Sequence, residues 1–476
     1  MNKLKLFLEN FIIYGLGGAI SKIVPLIMLP IVTRLMPNAT YYGISDMSNT
    51  LVSFGSAIAL MGMYDAMYRM FFDKDNEEYK KDVCSTALIF TLITSAIIFI
   101  LMLIMKQSLS QVFFGNKKYA YVVYLSAMAT LVGATNSIVS APTRMQNQRK
   151  IYLIANIVSP VLSYGIAIPL LLKGHYVIAL PISGVLAGVT VEAVFGVLNA
   201  KWFSVKRFDW QILKKLLIIA VPLMPNFIIY WVFNSCDRIM ITNMLGVDAA
   251  GVYSIGSKLG LASQLIYTAF AGGWQYFAFS TMKEDNQVKT NSLIYEYMGI
   301  ISFACTSVIC AISYVVYDIL FEQEYIAGYI IAPYLFMAPL LQMLYQIGNN
   351  QFLIIKKTWP GMFILSSGAV VNILLNRILI PLMGIEGAAV STLLGYVATC
   401  LIDIVVLMKC KLMKPSFRFL IAVFVEIIYF VLWRMLFPKN LVLGIIAALI
   451  TMACFIILYI KDIKTLITSI KQGGNK

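Results

Sequence analysis

The sequence predicts an all-α integral membrane protein of about fourteen transmembrane helices, and three observations carry that prediction. Of its 476 residues 60% are hydrophobic and only 12% charged, with a mean hydropathy of +0.83. Soluble chains carry about a quarter charged residues, so the polar surface is too small to coat a water-soluble globule. Apolar runs long enough to cross a bilayer, about 20 residues each, recur along the whole chain. The 37 lysines and arginines collect mainly in alternate loops between those runs, which is the pattern that fixes orientation.

The runs fall at roughly 10–33, 42–68, 84–105, 119–142, 152–172, 176–199, 216–236, 251–282, 292–317, 329–353, 361–381, 385–408, 419–437 and 441–460. The first follows Lys3 and Lys5 without a small-residue cleavage site and reads as a retained helix. The eighth is long enough to be tilted or bent. Placing the N-terminus in the cytoplasm puts the basic loops Lys201 to Lys215 and Lys409 to Arg418 there too, with both termini inside. The net charge of +15 is therefore a topology signal, and no continuous basic patch exists to bind nucleic acid. Seven cysteines form no CxxC pair, so neither a disulfide framework nor a structural zinc is expected. No metal and no cofactor is expected elsewhere.

Two local similarities recur at nearly the same spacing. The segment from Leu35 to Ile44 resembles that from Met244 to Val252, aligning Gly43 with Gly251, and the segment from Lys173 to Ala179 resembles that from Met383 to Ala389. They divide the chain into two parallel six-helix lobes, 1–205 and 206–410, followed by a helix pair and cytoplasmic tail over 411–476. Repeats of this kind put a substrate pathway where the lobes meet.

A charge inside a span faces a cavity or a partner, because hydrocarbon will not solvate it. Lys22 lies between Gly18 and Pro25, and Lys258 between Gly256 and Gly260. Arg377 sits near an outer helix end, and Arg434 follows Glu426 by eight residues and can pair with it. Polar stripes at helical spacing mark span 2 (Asp46, Asn49, Ser53, Ser56), span 7 (Asn226, Tyr230, Asn234, Asp237), span 8 (Ser257, Gln264, Tyr267) and span 10 (Gln342, Gln346, Asn349). Such residues either line a hydrated interior or hydrogen-bond between helices. Amides, hydroxyls and tyrosines suit sugar hydroxyls, and cations suit phosphate. Asp65 and Arg69, four residues apart, can form a helix-end ion pair. Gly184 with Gly188, and Gly256 with Gly260, have the spacing for close helix approach. Prolines deep in the spans, among them Pro25, Pro30, Pro160, Pro222, Pro225, Pro333 and Pro339, bend or break helices. With His175 the one histidine, no Ser/His/Asp or Cys/His system can be assembled.

The opening from Tyr14 through Lys22, Pro25 and Pro30 to Thr33-Arg34-Leu35 and Tyr42-Gly43-Ile44 resembles that of a known family. So do the end of span 2 at Arg69, the stretch from Ser235-Cys236-Asp237-Arg238 through Gly251 to Lys258, and Pro381 to Ala389. The family is the polysaccharide transporters, Wzx-like oligosaccharidyl-lipid flippases of the multidrug/oligosaccharidyl-lipid/polysaccharide superfamily. The resemblance implies a MATE-like fold of two six-helix lobes plus a C-terminal pair. It also implies a flippase that moves a polyprenyl-diphosphate-linked oligosaccharide across the bacterial inner membrane by alternating access, for O-antigen, capsule or exopolysaccharide. Membrane lipid, a polysaccharide polymerase and a chain-length regulator are the partners that go with it. Lys22, Arg69 and Lys258 become candidates for the diphosphate, with Asn226, Tyr230, Asn234, Gln264, Gln342 and Gln346 beside them. Arg34, Asp46, Asp65, Asp237 and Arg238 become candidates for gating or ion coupling.

Two other readings stay open. A cation-coupled drug or metabolite antiporter of the same superfamily would use an acidic site such as Asp46 or Asp65. A membrane glycosyltransferase or polymerase would need paired carboxylates for a metal. Asp73 with Asp75, or Glu322 with Glu324, supply pairs, but in loops too short for an acceptor site, so an enzyme is not expected.

Overall fold

A computed structural model of the chain describes residues 23–280, 285–355 and 359–473, and among these there are helices and turns but no strand. The first helices are α1 (Ile23–Leu35), α2 (Ala39–Leu60), α3 (Met63–Phe71), α4 (Glu77–Ile104), α5 (Lys106–Phe114) and α6 (Ala120–Met145). Next come α7 (Arg149–Leu172), α8 (Ala179–Leu198), α9 (Trp210–Ala220), α10 (Met224–Met244), α11 (Val247–Gly256) and α12 (Gly260–Ser280). The last are α13 (Gln287–Leu320), α14 (Ala332–Ile354), α15 (Trp359–Met383), α16 (Ile385–Lys409), α17 (Phe417–Leu436) and α18 (Leu441–Gly473). Hydrocarbon offers no partner for backbone N–H and C=O groups, so apolar spans satisfy them internally as helices.

Among the described residues, 9 helices are long and apolar enough to cross a membrane, or up to 12 if each bent pair is one span. The other two predicted spans fall on α1, described from Ile23, and on α11 with α12. This last pair is interrupted by a 3-10 turn at Ser257–Leu259. The bent pairs have local causes. Between α2 and α3, Met61 (φ 48°) and Gly62 (φ 76°) adopt left-handed backbone and turn the helix by 48°. Pro222 and Pro225 break the α9 to α10 span, where they remove backbone donors. Helix α18 kinks at Tyr459, where the sequence ends its last span. Polar side chains start the helices that leave loops: Asn76 accepts from the Glu78 and Tyr79 amides and Asp209 from those of Gln211 and Ile212.

The chain forms two compact units, one running up to Ser254 and including Asn376–Ile385, the other comprising Ile255–Leu375 and the residues from Glu386 onward. Unit 1 thus takes α9, α10 and most of α11, which the repeat assigns to the second lobe. Two of its cores gather Met63, Met67, Phe71, Trp202 and Leu216 at one place, and Ile44, Met47, Leu51, Phe113 and Phe114 at another. In unit 2 the buried Glu296 of α13 accepts from the Ser416 amide (2.6 Å), the Ser416 hydroxyl (2.8 Å) and the Tyr459 hydroxyl (2.9 Å), which fastens α17 and α18 onto α13. Arg434 pairs with Glu386 through Nε and Nη2 (2.5 and 2.8 Å), not with Glu426. Two helical turns separate Arg434 from Glu426, about 12 Å, and Glu426 accepts from Ser307 instead (3.1 Å).

Both sequence similarities have local counterparts. Gly43 and Gly251 face each other in unit 1. A Cβ on Gly43 would collide with the Val247 carbonyl, and one on Gly251 with the Ala39 carbonyl. Gly174 (φ 82°) and Gly384 (φ 63°) both turn the chain left-handed after a helix. The Gly256 and Gly260 pair does allow close approach, against Gly328, Ile331 and Leu335. Gly184 faces open space, and Gly188 meets only Val132.

Because backbone atoms block Gly43 and Gly251, no rotamer change can relieve an added side chain. Gly251→Val is expected to cost at least about 1–3 kcal/mol and to lower the melting midpoint of detergent-solubilised protein. Gly184→Ala should stay within about 0.5 kcal/mol of the parent. Equal midpoints for the two variants would contradict this packing.

Candidate functional site

Two polar features lie within unit 1, and the first is a cluster of buried charge. Asp46 of α2 is buried, with its Oδ2 3.2 Å from Arg238 Nε of α10. The same oxygen accepts from the Ser254 hydroxyl of α11 at 2.5 Å. Asp46 and Ser254 are 208 positions apart, the spacing that also separates Gly43 from Gly251, so two pairs at that spacing meet on one helix contact. Beside them the buried Asp237 accepts from the Tyr253 hydroxyl (2.8 Å) and the Asn376 amide of α15 (2.8 Å). Four helices are tied together by two carboxylates. Such pairs hold only when both partners and their hydrogen bonds are present, since desolvation otherwise outweighs attraction.

The second feature is a cavity of about 470 Å³ walled by α2, α3, α6, α7 and α8, with Phe227 of α10. Arg144, in the last turn of α6, donates to the Tyr64 hydroxyl (2.9 Å) and stacks over the Tyr152 ring at 5.3 Å. Asp65 lies on the same wall in the first turn of α3. A cation near a helix C-terminus and an anion near an N-terminus both suit the helix dipoles. The turn at Met61 and Gly62 carries Tyr64 and Asp65 to this wall. Asn136, Ser137 and Ser140 of α6, with Asn156 and Ser159 of α7, add amides and hydroxyls. The buried Asn136 Oδ1 and Asn156 Nδ2 have no hydrogen-bond partner in the chain. The cavity therefore offers a planar cation, a carboxylate, two tyrosine rings and unsatisfied amide groups, a set that can bind a polar, partly anionic ligand. Glu192 of α8, in contact with Thr135, stands next to the wall residue Val191.

The sequence-predicted residues divide as follows. Asp46, Asp237 and Arg238 meet in the charge cluster, and Asp65 lines the cavity. Arg69 pairs with Asp73, just past the exposed end of α3, and not with Asp65, which lies one turn the other way and lines the cavity. Lys22 and the side chain of Asn226 lie outside the described residues. Asn234 is exposed and donates to the Tyr230 carbonyl of its own helix (2.7 Å). Arg34 is exposed at the end of α1. Lys258 and Gln264 are half-buried, and Gln342 and Gln346 lie on α14; all four belong to unit 2. The span 2 stripe is largely spent between helices, since Ser53 accepts from the Trp231 indole (3.0 Å) and Ser56 bonds the Thr130 carbonyl. Both carboxylates of the Asp73 and Asp75 pair are held by cations, Arg69 and Lys80. Among the described residues no group of three or more His, Cys, Asp or Glu is placed to hold a metal ion.

Sequence reading missed Arg144 and the amides beside it. The signal was there: Asn136, Ser137, Ser140, Thr143 and Arg144 follow helical spacing along span 4 and form a fifth polar stripe. Arg144 lies two residues past the apolar run 119–142, so hydropathy alone leaves it among the loop charges.

Removing one partner of the Asp46 and Arg238 pair leaves the other buried without its counter-charge, which costs about 3–5 kcal/mol. Asp46→Ala and Arg238→Ala should each lower thermal stability strongly, and the double variant by much less than their sum. Additive losses in that cycle would show that the two side chains are not coupled.

Comparison with known proteins agrees with this architecture. A family model described as polysaccharide biosynthesis protein matches residues 31–327, and no curated protein sequence matches the chain. Among solved structures, the lipid II flippase MurJ in an inward closed conformation superposes with a TM-score of 0.72 at 14% identity, covering 95% of this chain and 100% of that one. An inward-facing multidrug resistance MATE family transporter of the MOP superfamily gives 0.62 at 18% identity, covering 82% and 98%. A MOP superfamily transporter from Pyrococcus furiosus gives 0.60 at 15% identity, covering 85% and 95%. The fold is that of the MATE-like membrane transporters, and the chain belongs to the polysaccharide biosynthesis protein family.

Proposed function

We propose that this protein is a flippase that carries a polyprenyl-diphosphate-linked oligosaccharide across the bacterial cytoplasmic membrane by alternating access between two six-helix lobes, 1–205 and 206–410. The observation that carries the reading is the cavity around Arg144. A guanidinium recognises phosphate oxygens in a planar, bidentate fashion, tyrosine rings offer faces and hydroxyls to a sugar, and the Asn136 and Asn156 atoms that lack partners suit sugar hydroxyls. Membership of a polysaccharide biosynthesis family and the likeness of fold to a lipid II flippase support the same cargo class. Exposed apolar side chains on the spans, such as Phe424 and Ile457, keep the protein in lipid, where the prenyl chain of the cargo also resides. In this reading both termini face the cytoplasm, and a polymerase and a chain-length regulator act on the product at the outer face. From the family resemblance, Lys22 and Lys258 are further candidates for the diphosphate.

A second reading, a cation-coupled antiporter of small molecules, is favoured by Asp65, the carboxylate on the cavity wall. The two separate by cargo. In cells lacking the protein, lipid-linked repeat units should accumulate on the cytoplasmic face, and Arg144→Ala should reproduce this at normal protein level with surface polymer reduced about tenfold or more, the loss of one charged hydrogen bond. Lys22→Ala and Lys258→Ala should behave likewise, and Arg144→Lys should restore part of the polymer. Normal polymer in Arg144→Ala, together with drug sensitivity in the deletion strain, would favour the antiporter.

A further inference from the structure

Asp403, on α16 in unit 2, has no accessible surface, and neither carboxylate oxygen has a hydrogen-bond partner. From α14, Gly348 packs so closely on Oδ2 that a Cβ there would collide with it. From α13, the buried Tyr295 faces it, and Cys400 lies one turn away on its own helix; these are the titratable groups near it. Tyr345 of α14 turns its hydroxyl away to the Gly361 carbonyl (2.8 Å). No charged side chain among the described residues pairs with Asp403.

An ionised carboxylate isolated in this interior would lose its water with nothing to replace it, so the packing selects the neutral acid. The Gly348 contact also fills the space on the Oδ2 side where a metal ion and its shell of oxygen ligands would sit. A proton needs no such space. Further buried amides continue from this point toward the helix ends. Asn291 precedes Tyr295 by one turn on α13, Gln351 follows Gly348 by one turn on α14, and each carries side-chain atoms without a partner. At the start of α13, Gln287 donates to Gln351 (2.8 Å). This row ends where the charge bias puts the cytoplasm.

We propose that Asp403 is a proton-binding site of the transport cycle. It holds a proton while α13, α14 and α16 pack as they do here and releases it to water, along the amide-lined helix ends, when that packing opens. The O–H bond of the acid breaks, its electron pair stays on the carboxylate, and water takes the proton. Coupling to a cycle rests on the transporter reading above, whereas the site itself is independent of the cargo.

Infrared spectroscopy of the full chain in phosphatidylethanolamine/phosphatidylglycerol liposomes, titrated from acid to alkaline pH, tests the site directly. The wild type should show a carboxylic-acid carbonyl band at neutral pH, and Asp403→Asn, which keeps the shape of the neutral acid, should lose the Asp403 part of it in the difference spectrum, the buried Glu426 contributing equally to both proteins. Hydrogen exchange, corrected for intrinsic pH dependence, should rise in α13, α14 and α16 of the wild type on alkalinisation and stay flat in Asp403→Asn. An unchanged band in the variant, or the same exchange response in both proteins, overturns the proposal. Normal surface polymer in Arg144→Ala alongside the expected Asp403 band would instead overturn the cargo and leave the proton site standing.

Discussion

A charge taken into the apolar interior of this protein loses water that nothing in lipid replaces, and the arrangement of its polar residues follows from that loss. Asp46 is held by Arg238 and Ser254, Asp237 by Tyr253 and Asn376, Glu386 by Nε and Nη2 of Arg434, and Glu296 by Ser416 and Tyr459. Each of these carboxylates joins helices that are distant in sequence. Polar pairing thus supplies in lipid the specificity that burial supplies in water, because hydrophobic contact alone does not distinguish a helix neighbour from a lipid tail. Among the described residues, Asp403 stands apart from them as an acid buried with no partner on either oxygen.

Close backbone contact is the second organising element. Gly43 against Gly251 brings α2 and α11 near enough for Asp46 to reach Ser254, so the small residue and the carboxylate three positions on work as one joint. The left-handed turn at Met61 and Gly62 then bends the far end of the same span and delivers Tyr64 and Asp65 to the cavity wall. One span therefore carries a rigid joint at one end and a ligand-facing bend at the other. The bend has substance of its own, since Gly62 packs against the end of α9.

The cavity differs from the joint in what its polar atoms still lack. Around Asp46 and Asp237 the hydroxyls and amides already meet carboxylates, whereas Asn136 and Asn156 present atoms with no partner in the chain. Spent polarity holds helices together, and unspent polarity is what a ligand can use. By the same criterion the polar stripe of span 2 is mainly structural and that of span 4 is available to a ligand.

By itself the sequence determined the membrane class and the helical content, and it marked where the span of α9 and α10 breaks, because each follows from local hydropathy and from prolines acting on their own helix. It also singled out Asp46 and Asp237, since each falls on a polar stripe at helical spacing, and the family resemblance added Arg238. Tertiary structure alone decided who pairs with whom. Arg69 goes to Asp73 and Arg434 to Glu386, and Arg144 becomes a cavity residue instead of a loop charge. These outcomes depend on which helix faces which, and apolar sequence leaves that open because its residues are nearly interchangeable in lipid. The isolation of Asp403 was equally hidden, for a lone acid near a basic loop looks solvated until Gly348 and Tyr295 are seen to close over it.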